Sequence, residues 1–267
     1  HYTNANPPDI ESLELWVSLT WLAGHTQRIA FGPLVSPVSF RQPTMTARMA
    51  AALDDLSGGR LTLGLGAGWQ EREHTNYGWD LLDVGERFAR FEEGLEVIDQ
   101  LLRSDAPVDF EGTYYRLRDA ILLPRPARPA GPPILIGGNG PKRTLPLVVR
   151  YATEWNGVFA SPESYAALSR QLDGMLAAAG REPAAVRRSL MAGCFFGRDA
   201  AEVDARAAAH GTTAASLRAS GKIAVGDGAE VRDQLAAWAA AGVQSIMLQW
   251  LDLDDLDGLE ALAAAVL

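Results

Sequence analysis

The chain has 267 residues, of which 48% are hydrophobic and 21% charged, a composition that suits one large globular domain and excludes intrinsic disorder. The 24 Lys and Arg stand against 33 Asp and Glu, for a formal charge of −9; no basic cluster offsets it, which argues against nucleic acid or an anionic membrane as partner. A single cysteine, Cys194, excludes an internal disulfide and a thiolate metal cage. No apolar run reaches the roughly 18–20 residues of a membrane span, and no basic-then-apolar leader opens the chain, so a soluble cytoplasmic protein is expected.

In chain order, His1 to Pro8 (HYTNANPP) reads as a loop. The apolar run Arg28–Val35 (RIAFGPLV) predicts a first strand, and Met45, Met49, Leu53 and Leu56 a core stripe on a helix. Leu61–Leu65 (LTLGL) is a second strand, followed by an insertion over Gln70–Glu86. Phe88, Phe91, Leu95, Ile98 and Leu102 repeat at helical spacing. Ser104–Pro133 holds FEGTYYRL, read as a short hairpin, and then a proline-rich approach to a strand at Pro133–Ile136. Further strands are expected at Trp155–Phe159, Ser189–Phe196 and Gln244–Trp250. Helix starts are marked by Ser161-Pro162 and by capping boxes at Asp199/Glu202 and Asp227/Glu230. Val231, Leu235 and Trp238 form one late stripe, and Leu256, Leu259, Leu262 and Val266 another.

Near-continuous apolar strands alternating with amphipathic helices predict a parallel α/β fold. Six strands would fit an open doubly wound sheet, whereas a closed barrel needs eight. No GxGxxG opens the first strand–helix turn, which weighs against the dinucleotide-binding version.

Two glycine-rich segments are candidate binding elements. Gly137-Gly138-Asn139-Gly140, with Pro141, Lys142, Arg143 and Thr144, follows a strand and opens a helix. Successive amides and a helix N-terminus can hold an anion; the alternative is a plain glycine turn with two solvated cations. Gly64-Leu-Gly66-Ala67-Gly68-Trp69 ends the second strand, where glycines either admit a flat ring or allow close packing. Of the histidines, His25 reads as a helix-end residue, His210 as a helix C-terminal residue favoured by the dipole, and His74 as a residue of the insertion that faces a pocket. No HxH, HExxH or CxxC occurs; the run Asp252, Asp254, Asp255, Asp257 reads as a solvated loop and helix start, and Cys194 as core. No GxSxG supports serine hydrolysis.

The segments RIAFGPLVSPVSFRQP (28–43), LDDLSGGRLTLGLGAGW (53–69), ERF (86–88), FEGTYYRL (110–117) and PPILIGGNGPKRTL (132–145) together resemble the luciferase-like monooxygenase superfamily, and within it the branch of predicted coenzyme F420-dependent oxidoreductases. The resemblance covers nearly the whole chain in order. It implies a TIM (β/α)8 barrel that binds a deazaflavin, or alternatively reduced FMN, at its mouth. It also implies that residues 1–267 form one such domain, N-terminally incomplete and lacking the first one or two strands, with His1 as the histidine of an Asp-His or Glu-His pair. By the same resemblance, His1 is the acid–base group. Cofactor contacts fall on Leu34, Val35 and Ser36, on Gly66, Ala67 and Gly68, and on Gly137, Gly138, Asn139, Gly140, Lys142, Arg143 and Thr144. A non-proline cis peptide is placed at Leu34–Val35. Phe40, Trp69 and His74 wall the substrate pocket, with Tyr77 and Trp79 as further aromatic candidates. A related sugar-phosphate dehydrogenase branch carries an acid where Trp69 stands, so that oxidation is not carried over. The implied function is hydride transfer to or from a small organic substrate, in a homodimer. The alternatives are an O2-using reduced-FMN monooxygenase, a non-catalytic cofactor binder, or a barrel hydrolase with another site.

Overall fold

A computed structural model describes residues 1–3, 8, 9 and 11–267; the middle of the predicted His1–Pro8 loop, residues 4–7, lies outside the described residues. The chain divides into two compact units, His1–Gly137 with Arg150–Thr153, and Gly138–Val149 with Glu154–Leu267.

The first unit runs α1 (Leu15–His25), β1 (Ser36–Pro37), a 3-10 turn (Val38–Phe40), α2 (Pro43–Leu56), β2 (Leu63–Gly66), α3 (Glu71–Tyr77), α4 (Val84–Arg103), β3 (Val108–Glu111), β4 (Arg116–Ala120) and β5 (Ile134–Gly137). β1, β2 and β5 are parallel neighbours, with Ser36 opposite Leu65 and Leu63 opposite Ile134. Leu63, Leu65, Ile134 and Ile136 are buried, as expected for strands covered on both faces. The predicted α4 stripe packs inward through Phe91, Leu95, Ile98 and Leu102, each burial contributing about 1.5–3 kcal/mol. FEGTYYRL forms the expected antiparallel hairpin β3–β4. Its turn is held by Glu93 of α4, whose carboxylate accepts the amides of Thr113 (2.8 Å), Tyr114 (2.8 Å) and Tyr115 (3.3 Å).

Two expectations in this unit fail. Arg28–Val35 is not a regular strand: Phe31 makes a single bridge to Leu61, and the run is broken at Pro33, which has no amide to pair. The α2 stripe is rotated from the predicted one. Met45 and Leu56 are exposed, while Leu53 of the predicted stripe is buried together with Ala47, Ala50 and Ala51.

The second unit contains α5 (Thr144–Tyr151, whose last turn returns to the first unit), β6 (Glu154–Val158), α6 (Pro162–Ala178), β7 (Arg187–Phe196), α7 (Ala200–Ala209), α8 (Ala214–Ser220), β8 (Ile223–Gly226), α9 (Gly228–Ala240), β9 (Ser245–Gln249) and α10 (Leu256–Val266). β7 is the central strand and pairs in parallel with β6, β8 and β9. β8 was not among the six predicted strands; its four residues (IAVG) are too few to show a pattern. Ser161 caps α6, and Asp227 with Glu230 forms a complete capping box on α9. At α7 the box is open: Asp199 caps Glu202, but the Glu202 carboxylate accepts the amide of Arg198. Phe195, Val203, Ala207, Ala214, Leu217 and Val225 form a core cluster. The last stripe is only partly core, since Leu256 and Leu259 are exposed and Leu262 is buried. Cys194 is buried in β7, and burial pushes its thiol up to about 12. His210 does end α7, and its Nε2 lies 2.7 Å from Asp252. Asp255 caps α10, and with Asp252 it grips Arg206.

Among the described residues, no helix is long and apolar enough to cross a membrane.

Candidate active site

In the first unit the site is built at the end of β2. The Leu34–Val35 peptide is cis, at the bond the resemblance named. The Val35 side chain is pressed into the glycines around it. A Cβ at Gly66 would lie 2.6 Å from Val35 Cγ2, and Cβ atoms at Gly64 and Gly137 would lie 3.3 and 3.2 Å from Val35 Cγ1. Ordinary carbon contacts are about 3.5–4.0 Å. Gly66 is therefore needed to seat Val35, and Gly64 is required first by the Pro33 carbonyl oxygen, 1.9 Å from where a Cβ would lie; the close-packing reading describes both directly. Leu34 is 38% exposed beside this seat, and Ser36 is buried in the β1 ladder. Gly68 has φ +85°, where a Cβ is disfavoured, and a side chain there would meet Ser39 Oγ at 2.9 Å.

α3 follows at once and gathers the other side chains. Gln70 and Glu73 are three residues apart, so they share one helix face. Gln70 exchanges two hydrogen bonds with Thr3: the Thr3 hydroxyl donates to Oε1 (2.9 Å), and Nε2 donates to the Thr3 carbonyl (3.0 Å). The Glu73 carboxylate is 1% exposed and accepts from His1 Nδ1 at 2.8 Å and from the Tyr2 amide at 2.5 Å. His1 is 47% exposed at its side chain, and its ring meets the Trp69 ring edge-on, 5.3 Å between centroids. Trp69 is 63% exposed.

The other two predicted pocket residues are placed differently. His74 is buried, and both ring nitrogens are taken: Nδ1 lies 2.7 Å from the Gln70 carbonyl and Nε2 2.8 Å from Ser39 Oγ. It fastens α3 to the 3-10 turn instead of facing a pocket, because a buried imidazole must satisfy both nitrogens. Phe40 is packed within an aromatic cluster. Its ring lies 5.1 Å from His74, 5.9 Å from Tyr2 and 4.2 Å from Trp79, and Trp79 stacks on Tyr77 at 5.1 Å. Of the predicted wall, Trp69 is the residue left open beside His1.

In the second unit, the turn Gly138–Gly140 leads into α5. Gly138 has φ +128° and donates its amide to the Asn156 carbonyl at 2.9 Å. The Asn139 side chain mimics a strand partner of β6: Nδ2 donates to the Val158 carbonyl (2.6 Å), and Oδ1 accepts the Val158 amide (2.9 Å). Its side chain is thus committed to holding the turn, and the part of Asn139 left to meet a ligand is its backbone. Among the described residues, no protein acceptor takes the amides of Asn139, Gly140 or Lys142. Thr144 is buried at the first position of α5, its amide bonded to the Gly140 carbonyl at 2.9 Å, while Lys142 and Arg143 are exposed. Unpaired amides at a helix start, flanked by two cations, suit an anion.

Sequence reasoning missed Glu73, Gln70 and Val158. Glu73 was legible in part, since the i, i+3 spacing from Gln70 would have placed both on one face had the insertion been read as a helix. Nothing in the sequence pairs Asn139 with Val158.

A family model described as luciferase-like monooxygenase matches residues 1–222. The chain belongs to this family, and its largely parallel α/β fold is that of the luciferase-like TIM-barrel proteins. The phthiodiolone/phenolphthiodiolone dimycocerosates ketoreductase of Mycobacterium kansasii is 33% identical over 194 residues, 72% of this chain and 52% of that protein. The F420-dependent glucose-6-phosphate dehydrogenase of Kineococcus radiotolerans is 38% identical over 126 residues, 47% of this chain and 36% of that protein. The matches thus span about half or less of these relatives' own length. A solved F420-dependent secondary alcohol dehydrogenase, in complex with an F420–acetone adduct, superposes with a TM-score of 0.80 at 18% identity, over 96% of this chain and 85% of that one; this likeness concerns the fold alone.

Proposed function

We propose that this protein is an oxidoreductase that moves hydride between coenzyme F420 and the carbon of a small carbonyl or alcohol substrate. The observation that carries this reading is the turn into α5, where the backbone amides of Asn139, Gly140 and Lys142 have no protein acceptor among the described residues and, with the cations of Lys142 and Arg143, fit the phosphate of such a cofactor. The choice of a deazaflavin is supported by a relative whose name specifies F420, and the carbonyl chemistry by the ketoreductase relative. When bound, the deazaflavin ring supplies a carbon that accepts or delivers hydride. The residues of the chain do the rest. Val35, seated in its glycines, presents a fixed ledge with Leu34, Gly66 and Gly68 at the end of β2. His1, anchored on Glu73, holds or gives the proton at the substrate oxygen through Nε2. Trp69 supplies an apolar wall beside it. A homodimer belongs to the same reading and is checked by the light-scattering mass.

Parallel fluorescence titrations with F420 and FMN test the proposal. Tight F420 binding with weak FMN binding, and F420-dependent turnover of a ketone or secondary alcohol, supports it. Preference for reduced FMN with O2-dependent reoxidation replaces it with monooxygenation. Binding of either without turnover of any tested substrate replaces it with a binding role, and binding of neither refutes it.

A further inference from the structure

We propose that Glu73 is a positioning residue that sets the tautomer and orientation of the His1 imidazole. The inference deepens the reading of His1 as the proton-handling group and rests on it.

The geometry is specific. Glu73 is a carboxylate with 1% side-chain exposure, and burying a charge without partners is costly. Its two oxygens are spent separately, Oε2 on His1 Nδ1 and Oε1 on the Tyr2 amide. The carboxylate thus grips one residue by its ring and the next by its backbone, which fixes both where the imidazole sits and how it is turned. One helical turn earlier, Gln70 does the same for Thr3. α3 is in this sense a clamp along His1–Thr3. Trp69, immediately before it, closes on the imidazole edge-on at 5.3 Å.

A carboxylate can only accept, so Nδ1 must carry a proton. The neutral ring is then held as the Nδ1–H tautomer, with the Nε2 lone pair free to take a proton. After protonation at Nε2, the imidazolium still donates to the same carboxylate, which stabilises the charge. Free imidazole side chains favour the opposite tautomer, so removal of Glu73 has a readout independent of turnover. It also accounts for a buried acid in the insertion that neither the aromatic cluster nor the Ser39–His74 pair uses.

The test is 15N–1H long-range NMR on histidine-labelled protein, with Glu73→Ala and Glu73→Gln variants, and F420-dependent turnover in parallel. We expect the Nδ1–H tautomer of His1 in the wild type and a shift to mostly Nε2–H in both variants, because the single amide oxygen of Glu73→Gln is claimed by the Tyr2 amide, which can only donate, and its NH2 then faces Nδ1. We expect kcat to fall about ten- to a hundredfold in Glu73→Ala with KM changed by less than about threefold, a smaller loss than the roughly 10²–10⁴ that a general acid–base group itself contributes, as befits a residue that positions one. A comparable loss in Glu73→Gln, which keeps the size of the side chain and the bond to the Tyr2 amide, guards against a simple folding defect. A wild-type His1 in the Nε2–H form, or a tautomer unchanged in Glu73→Ala, overturns the proposal. If the tautomer responds as expected but neither cofactor binds, the positioning role stands and the oxidoreductase reading falls.

Discussion

Replacing Gly66 by alanine tests how the end of β2 is built. A Cβ there would sit 2.6 Å from Val35 Cγ2, about 1 Å inside an ordinary carbon contact. Val35 is β-branched and stiff about χ1, its backbone continues directly into β1, and its other methyl faces Gly64 and Gly137, so it has little room to yield. Overpacking of this kind costs about 1–3 kcal/mol. Val35→Ala removes both methyls and leaves a small void, for a cost of similar size. The double variant puts the methyl introduced by Gly66→Ala where Val35 Cγ2 had been, so its cost should fall below the sum of the singles by at least about 1 kcal/mol. Urea unfolding with m-values compared gives the three costs. F420 titration of the same proteins should show weaker binding in Gly66→Ala and partial recovery in the double variant. Additive costs within about 0.5 kcal/mol would refute the seating argument, because the two side chains would then not share the space.

Four further outcomes are expected. Glu93→Ala leaves three hairpin amides without their acceptor and should destabilise the protein by about 1–3 kcal/mol in urea unfolding; an unchanged midpoint would deny Glu93 its turn-holding role. The Tyr151 hydroxyl, bonded at 2.6 Å, holds the Glu96 carboxyl below its ordinary 4.5; burial opposes this, and Gln100 and Arg150 assist. A depressed acid contributes stability that is complete above about pH 4.5 and is lost as the pH falls through its folded value, so thermal unfolding of Glu96→Gln should show a flatter acid limb than wild type. Cys194, with its thiol pushed up to about 12 by burial, should resist iodoacetamide at pH 8 until the protein is unfolded in urea; rapid labelling of the folded protein would contradict its placement in β7. Asn139→Ala removes the two bonds that hold the glycine turn to Val158 and should weaken F420 binding by about tenfold or more, with the titration curve as the check.

What the sequence determined by itself is local. Apolar runs at 61–65, 133–136, 155–159 and 189–196 mark strands because a parallel strand buried on both faces needs little else, and Ser161 and Asp227 mark helix starts because a first turn needs acceptors. The resemblance in glycine- and proline-rich segments placed the cis peptide at Leu34–Val35, which no periodicity reveals. Tertiary structure decided the remainder. It showed that IAVG is a strand, because four residues become one only when β7 offers its edge. It turned α2 so that Ala47, Ala50 and Ala51 are buried and Met45 is exposed. It buried His74 of α3, packed Phe40 into an aromatic cluster and left Trp69 open. It committed the Asn139 side-chain amide to Val158 and brought Glu73 to His1 across 72 positions of sequence. Local preferences follow from neighbours along the chain, whereas the partner of a polar group follows from whatever the fold carries within hydrogen-bond reach of it.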